Sequence, residues 1–186
     1  RTPELLKTIP GIRAIFHETN RGKGGAVKSG FQAATGDILL IQDADLEYDP
    51  TDYPRLINPI LNKETQFVLG SRHMGKGYWN IRNHQLKKGY YKLLNLGHLL
   101  FTELFNLLYS TKLTDPATMY KVFTREALQQ LRKTNLESNY FDLDWEIVAK
   151  LVKQKYLPKE IPVSYQSRTI EQGKKIRFFR DGFLVA

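Results

Sequence analysis

The chain has 186 residues, 41% of them hydrophobic and 12% aromatic, which is enough for one domain with a real core and too little for two ordinary ones. It has no cysteine, so disulfides, thiolate zinc sites and a cysteine nucleophile are excluded. Lys and Arg number 28 against 19 Asp and Glu, and the formal charge of +9 calls for an anionic partner: nucleic acid, a phosphorylated substrate or an acidic membrane surface.

Thr2, Pro3 and Glu4 read as an N-cap with proline at the first helical position, predicting a short helix to about Thr8. Ile12 to His17 reads as a strand. Gly24 to Thr35 has helical spacing, and Asp37 to Gln42 carries the apolar run Ile38, Leu39, Leu40, Ile41 of a buried strand in a parallel sheet. Pro50 and Thr51 open a helix to about Leu61, and Phe67 to Leu69 form a strand ending at Gly70.

From about Ile81 to Tyr109 the spacing predicts a long helix or helix pair, with Leu93, Leu96, Leu100, Leu104 and Leu107 on one face. Asn95, His98, Thr102, Glu103 and Asn106 interrupt it. Such a helix packs on the protein's own core, lies on a membrane surface, or lines a lipid acceptor groove. Thr118 to Phe123 reads as a strand, Thr124 to about Leu131 as a helix, Leu143 to Gln154 as an amphipathic helix and Lys159 to Ser164 as a last strand. A basic tail from about residue 168, with Lys174, Lys175, Arg177 and Arg180, ends on Phe183, Leu184 and Val185 as though inside a further helix. No apolar run reaches the ~18 to 20 residues of a membrane-spanning helix. The alternation predicts an α/β domain with a largely parallel sheet, whose ligands bind beyond the carboxyl ends of the strands, where Asp43, Asp45, Ser71 and Arg72 fall.

Asp43-Ala44-Asp45-Leu46-Glu47-Tyr48-Asp49-Pro50 places four acids directly after the most apolar strand. Their repulsion calls for a cation, and carboxylate oxygens suit Mg²⁺ or Mn²⁺, which can bridge a diphosphate. The alternative is a loop that caps the helix near Thr51, a role that suits Asp49. Asn20-Arg21-Gly22-Lys23-Gly24-Gly25-Ala26 is similar to a phosphate-cradling turn at a helix start, although it is neither a P-loop nor a Gly-x-Gly-x-x-Gly turn. A structural tight turn fits that segment equally well.

In order, these segments resemble the family 2 glycosyltransferases, in particular dolichyl-phosphate mannose synthases and bacterial or archaeal polyprenyl-phosphate sugar transferases. The landmarks are Asn20 to Ala26, Ala34-Thr35-Gly36-Asp37, Asp43 to Pro50, Gly70-Ser71-Arg72 and Leu113-Thr114-Asp115-Pro116 with Tyr120-Lys121-Val122-Phe123. Phe141 to Glu146, Ile161 to Tyr165, Arg168 and Gly173-Lys174-Lys175 follow. The resemblance implies a GT-A fold, inversion at the sugar carbon, and a divalent metal, Mg²⁺ or Mn²⁺, held by Asp45 with Asp43 and Glu47. It implies that Lys23, Gly24, Arg72, Arg168, Lys174 and Lys175 meet phosphates, and that Asp115 and Lys88 serve the acceptor side. Three features depart from the pattern. The strands ending in Pro-x-Tyr-Asn-Glu and Asp-Asp-Gly-Ser type motifs do not precede the helix at Thr2, so an N-terminally incomplete catalytic domain is expected; Lys88 stands where mannose synthases carry arginine, and His98 where bacterial relatives carry asparagine.

The function implied is transfer of a sugar from a nucleotide-diphosphate sugar, of the GDP-mannose or UDP-glucose type, to a polyprenyl or dolichyl phosphate. That acceptor oxygen is already anionic. Transfer to a glycan hydroxyl requires a base, for which Asp144 and Glu146 are the candidates; the same acids also suit the first turn of a helix. The resemblance implies a domain on the cytoplasmic face of a membrane, peripheral or part of a membrane protein. A basic nucleic-acid-binding or membrane-binding module and a non-catalytic scaffold are the rivals, but no helix-turn-helix, zinc-finger or RNP signature is present, and nucleic acid is not the expected partner. A nucleotidyltransferase would show a Gly-x-Gly-Thr-Arg turn, which is absent.

Overall fold

The computed structural model describes residues 2–74, 90–140 and 142–168. In chain order these form α1 (Thr2–Thr8), α2 (Gly22–Ala33), β1 (Ile38–Leu40), a single 3-10 turn at Pro50–Asp52 running into α3 (Tyr53–Leu61), and β2 (Phe67–Ser71). Then come α4 (Tyr90–Tyr109), β3 (Lys121–Thr124), α5 (Arg125–Lys133), α6 (Leu143–Lys153) and β4 (Lys159–Pro162).

Phe67, Val68 and Leu69 present large side chains to both faces of β2, and every residue of that strand is buried. Helices cover those faces, as the continuous apolar run requires. The strand order is β1-β3-β2-β4. β3 runs antiparallel to β1, pairing Leu39 with Phe123, and antiparallel to β2, pairing Val68 with Val122. β2 and β4 are parallel, with Leu69 opposite Glu160. The described sheet is therefore mixed, and the parallel direction expected from the apolar runs holds for one pairing of three. A strand buried on both faces reads the same in either direction, so its polarity is absent from the hydrophobic pattern.

Phe123 packs edge-on against Phe31 and Phe67, at ring-centroid distances of 5.5 and 6.2 Å. Thr124 ends β3 and caps α5, its Oγ1 accepting from the N–H of Ala127 at 3.3 Å. That bond starts α5 where its apolar face, Ala127, Leu128 and Leu131, can close over the sheet. α6 adds Leu143, Ile147 and Leu151, all fully buried, each contributing roughly 1.5–3 kcal/mol.

One expectation differs from the structure. Ile12 to His17 forms no strand; Ile12, Ile15 and Phe16 stand about half exposed, and among the described residues none pairs with them. A strand exists only through a ladder partner. On α4, where the sequence leaves the direction of the leucine face open, the stripe turns outward. Leu96, Leu100, Leu104 and Leu107 are 45%, 62%, 50% and 78% exposed, while Asn95 and Thr102 are buried. Asn106 turns inward too, its Nδ2 donating to the Leu113 carbonyl at 2.9 Å and its Oδ1 accepting from the Leu113 N–H at 2.8 Å. The leucine stripe therefore does not pack on this chain's described core. Among the described residues no helix is long and apolar enough to cross a membrane.

Candidate active site

The carboxyl ends of β1 and β2 meet the entry into β3 along one edge of the sheet. Because β3 is antiparallel, its upstream segment, residues 113–120, arrives at the edge where β1 and β2 leave. Polar groups from six parts of the chain collect there.

β1 leads into the acidic loop. The Asp43 N–H donates to Met119 Sδ at 3.0 Å. Leu46 adopts a left-handed conformation, φ 62°, which costs a non-glycine residue roughly 1–2 kcal/mol. The turn brings Asp45 and Glu47 to one cation: Arg168 Nη2 lies 3.3 Å from Asp45 Oδ2, and the Arg168 N–H donates to Glu47 Oε1 at 2.9 Å. Tyr165 donates to Glu47 Oε2 at 2.7 Å. Asp49 points away and caps the turn at Pro50, accepting from the Thr51 N–H at 2.9 Å.

Asp43 is held separately. Lys23, at the start of α2, reaches Asp43 Oδ2 at 3.1 Å and Asp144 Oδ2 at 2.7 Å. Asp144 Oδ1 accepts from Lys121 at 3.0 Å, and Lys121 also donates to the Thr118 carbonyl. Burial pushes the Asp43 carboxyl up despite Lys23. Burial acts on Asp144 in the same sense, but Lys121 and Lys23 outweigh it and hold that carboxyl below its usual range.

Arg72 follows β2 and is clamped by Asp115, which is fully buried. Its Nε donates to Asp115 Oδ2 and its Nη2 to Asp115 Oδ1, both at 2.7 Å, and its backbone N–H adds a third bond at 3.0 Å. Burial works to raise Asp115, yet the guanidinium holds it down to about 2. Tyr165 lies over Arg72, 5.3 Å from ring centroid to Cζ. Glu160 fixes the segment beneath, accepting from the N–H groups of Thr114 and Asp115 at 2.8 and 2.9 Å.

Glu146 lies apart from these acids in its bonding. Its oxygens accept from the N–H groups of Glu137 and Ser138, both at 2.9 Å, and it pairs with Lys150 at 2.6 Å. The loop so pinned packs against Gly24, whose N–H donates to the Asn139 carbonyl at 2.9 Å. A Cβ at Gly24 would lie 2.6 Å from the Ser138 carbonyl oxygen, so the glycine serves this close approach and its N–H is not available to a phosphate. This packing suits the structural tight turn that the segment equally allows, since a helix start buried against a loop has already satisfied its donor. Lys88, Lys174 and Lys175 lie outside the described residues.

Sequence reasoning passed over Lys121, Met119, Tyr165 and Glu160 as site residues. Lys121 alone left a signal, a lysine beside Val122 and Phe123 in an otherwise apolar strand.

Asp43, Asp45 and Glu47 offer hard oxygen donors at the strand edge, where Lys23 and Arg168 pair with them. A hard divalent ion fits that donor set. Among the described residues one trio of histidine and carboxylate atoms converges within 4.8 Å: His73, His98 and Asp115. Both Asp115 oxygens accept from Arg72, so an ion there would have to displace a guanidinium. The two rings stack at 5.1 Å, and burial pushes His73 down to about 4; the trio is packing around an ion pair.

The profile described as glycosyl transferase family 2 matches residues 1–132. A UDP-N-acetylglucosamine–dolichyl-phosphate N-acetylglucosaminyltransferase of Methanococcus voltae is 30% identical over 170 residues, 89% of this chain and 64% of that protein. A dolichol-phosphate mannosyltransferase of Pyrococcus furiosus is 27% identical over 175 residues, 94% of this chain and 46% of that protein. Glycosyltransferase AglD of Haloferax volcanii is 26% identical over 171 residues, and the chain covers 26% of it. The chain thus spans less than two thirds of the length of these relatives. Among solved structures, glucosyl-3-phosphoglycerate synthase of Mycobacterium tuberculosis, in complex with Mn²⁺, UDP-glucose and phosphoglyceric acid, superposes with a TM-score of 0.55. Identity there is 16%, over 88% of this chain and 52% of that one. The shared feature is the fold, which is GT-A.

Proposed function

Because this chain belongs to glycosyl transferase family 2, we propose that it forms the donor site of an inverting transferase that moves a sugar from a nucleotide-diphosphate sugar to a polyprenyl or dolichyl phosphate. One observation carries the choice of acceptor: both acids that could serve as a general base are engaged. Asp144 is shared by two lysines, and Glu146 by two backbone N–H groups and Lys150. A hydroxyl would find no free carboxylate among these two, whereas a phosphate brings its own negative oxygen. The acceptors in the names of the Methanococcus and Pyrococcus relatives support the same class.

Asp43, Asp45 and Glu47 would hold a divalent cation, Mg²⁺ or Mn²⁺. When bound, that ion supplies a Lewis acid that neutralises the departing diphosphate. Arg168, paired with Asp45 and Glu47, would meet the donor phosphates. Arg72, its plane fixed by Asp115 and Tyr165, orients the acceptor phosphate through its remaining N–H groups. The acceptor oxygen attacks the anomeric carbon opposite the leaving group. The new C–O bond forms as the old one breaks, the electron pair leaves with the diphosphate, and the configuration inverts without loss of a proton from the acceptor.

We place the domain at a membrane surface, where a lipid-linked acceptor resides. The outward leucines of α4 and the net charge of +9 suit an anionic bilayer.

The test uses labelled UDP-glucose, UDP-N-acetylglucosamine and GDP-mannose with dolichyl phosphate and Mn²⁺. Label passes to the lipid from one donor and stops with EDTA or Asp45→Ala. Equal nucleotide affinity with and without metal, measured by calorimetry on folded protein, refutes the donor site.

A further inference from the structure

A lysine inside a central strand requires a reason. Lys121 is fully buried between β1 and β2, where an apolar residue of the same length would avoid the loss of hydration that an ammonium suffers. Burial pushes its pKa down, as such a position must. Neither the core nor the proposed chemistry uses it directly.

Its bonds lead to the site. Lys121, Asp144, Lys23 and Asp43 form a row of alternating charge that runs from the sheet to the first acid of the acidic loop. Within it, Lys23 holds Asp144 more closely, at 2.7 Å, than Asp43, at 3.1 Å. Asp144 is 5% exposed and needs compensation. If Lys121 did not supply part of it, Asp144 would draw Lys23 to itself and the longer bond to Asp43 would be given up. Lys121 also donates to the Thr118 carbonyl, next to Met119, whose sulfur receives the Asp43 N–H. One segment thus holds Asp43 by backbone and, through two intermediaries, by side chain.

We infer that Lys121 is a positioning residue of the donor site: by sharing the charge of Asp144 it leaves Lys23 free to hold Asp43 in place. This rests on the reading of Asp43 and Asp45 as the place where cation and diphosphate bind.

The experiment is calorimetric titration with Mn²⁺-UDP and Mn²⁺-GDP, alongside thermal melting, on wild type, Lys121→Met and Lys121→Met/Asp144→Asn. Lys121→Met weakens binding of the preferred nucleotide tenfold or more. Neutralising Asp144 in that background returns Lys23 to Asp43 and restores binding to within threefold of wild type, a rescue that damage to packing would not show. Unchanged binding in Lys121→Met overturns the inference, and so does a double variant no better than the single one. Should Lys121→Met fail to fold, the charge-balanced double variant decides: affinity within threefold of wild type supports the role, and a tenfold loss overturns it. A wild type that binds neither nucleotide more tightly with Mn²⁺ removes the functional reading and this inference together. Wild-type binding with indifferent variants removes the inference alone.

Discussion

Asp115→Asn changes one atom and removes the charge that holds Arg72. In the wild type both oxygens accept from the guanidinium at 2.7 Å, with no exposure of the carboxylate. An amide can keep one of those bonds and turns a donor towards the other, leaving a buried cation with half a partner. Asp115 is held down to about 2 from an ordinary value of 3.8. That shift corresponds to roughly 2 kcal/mol, while breaking a buried pair costs about 3–5 kcal/mol. A loss of about 3 kcal/mol lowers the melting temperature by ~6–12 °C in a chain of this size. The sign of the pH dependence follows from a depressed carboxyl: its stabilisation is complete above the unfolded value and is lost as pH falls towards 2. Urea unfolding of wild type and Asp115→Asn at several pH values measures this. The gap between them stays constant from about pH 5 to 8 and closes below about pH 4. A gap under about 0.5 kcal/mol at neutral pH, or one indifferent to acid, refutes the account of the clamp.

The acceptor class can be read from kinetics. With donor saturating, Glu146→Gln, or Asp144→Asn carried with Lys121→Met, lowers kcat by ~10-fold or less, whereas loss of a true base costs on the order of 10²- to 10⁴-fold. A loss beyond about a thousandfold with donor still bound would establish a hydroxyl acceptor. Leu100→Glu with Leu107→Glu reduces sedimentation with anionic liposomes and leaves the melting temperature unchanged, since both side chains are already largely in solvent. Liposome binding indifferent to salt and to anionic lipid would count against the membrane-facing role of α4.

The acidic loop was legible because it combines two signals, a run of four apolar residues and then acids at alternate positions. Asp49 was legible as a cap for the same local reason. What escaped the sequence depends on partners far along the chain. Nothing near Glu146 tells that its oxygens bind the backbone of residues 137 and 138. Nothing near Gly24 tells that Asn139 takes its N–H. The direction of β3 escaped for another reason: Val122 and Phe123 are buried on both sides, and burial carries no arrow. On α4 the spacing of the leucines was legible, but not which way they face; the inward Asn106 and the buried Thr102 turn them outward.

The charge pairs of the site also govern when it can exist. Lys23 and Asp144 are 121 positions apart, and Asp45 and Arg168 are 123 apart. Closing loops of that length costs entropy on the order of 4 kcal/mol each, so these bonds form only after the sheet has brought their ends close. During synthesis the acidic loop leaves the ribosome after Lys23, the partner of Asp43, but long before Arg168, the partner of Asp45 and Glu47. At ~5 to 20 residues per second it waits roughly 6 to 25 seconds for Arg168, with its acids facing water. The contacts of Asp45 and Glu47 with Arg168 thus wait for the distal segment, and any pause in translation between Glu47 and Arg168 prolongs the time these two carboxylates stand uncompensated.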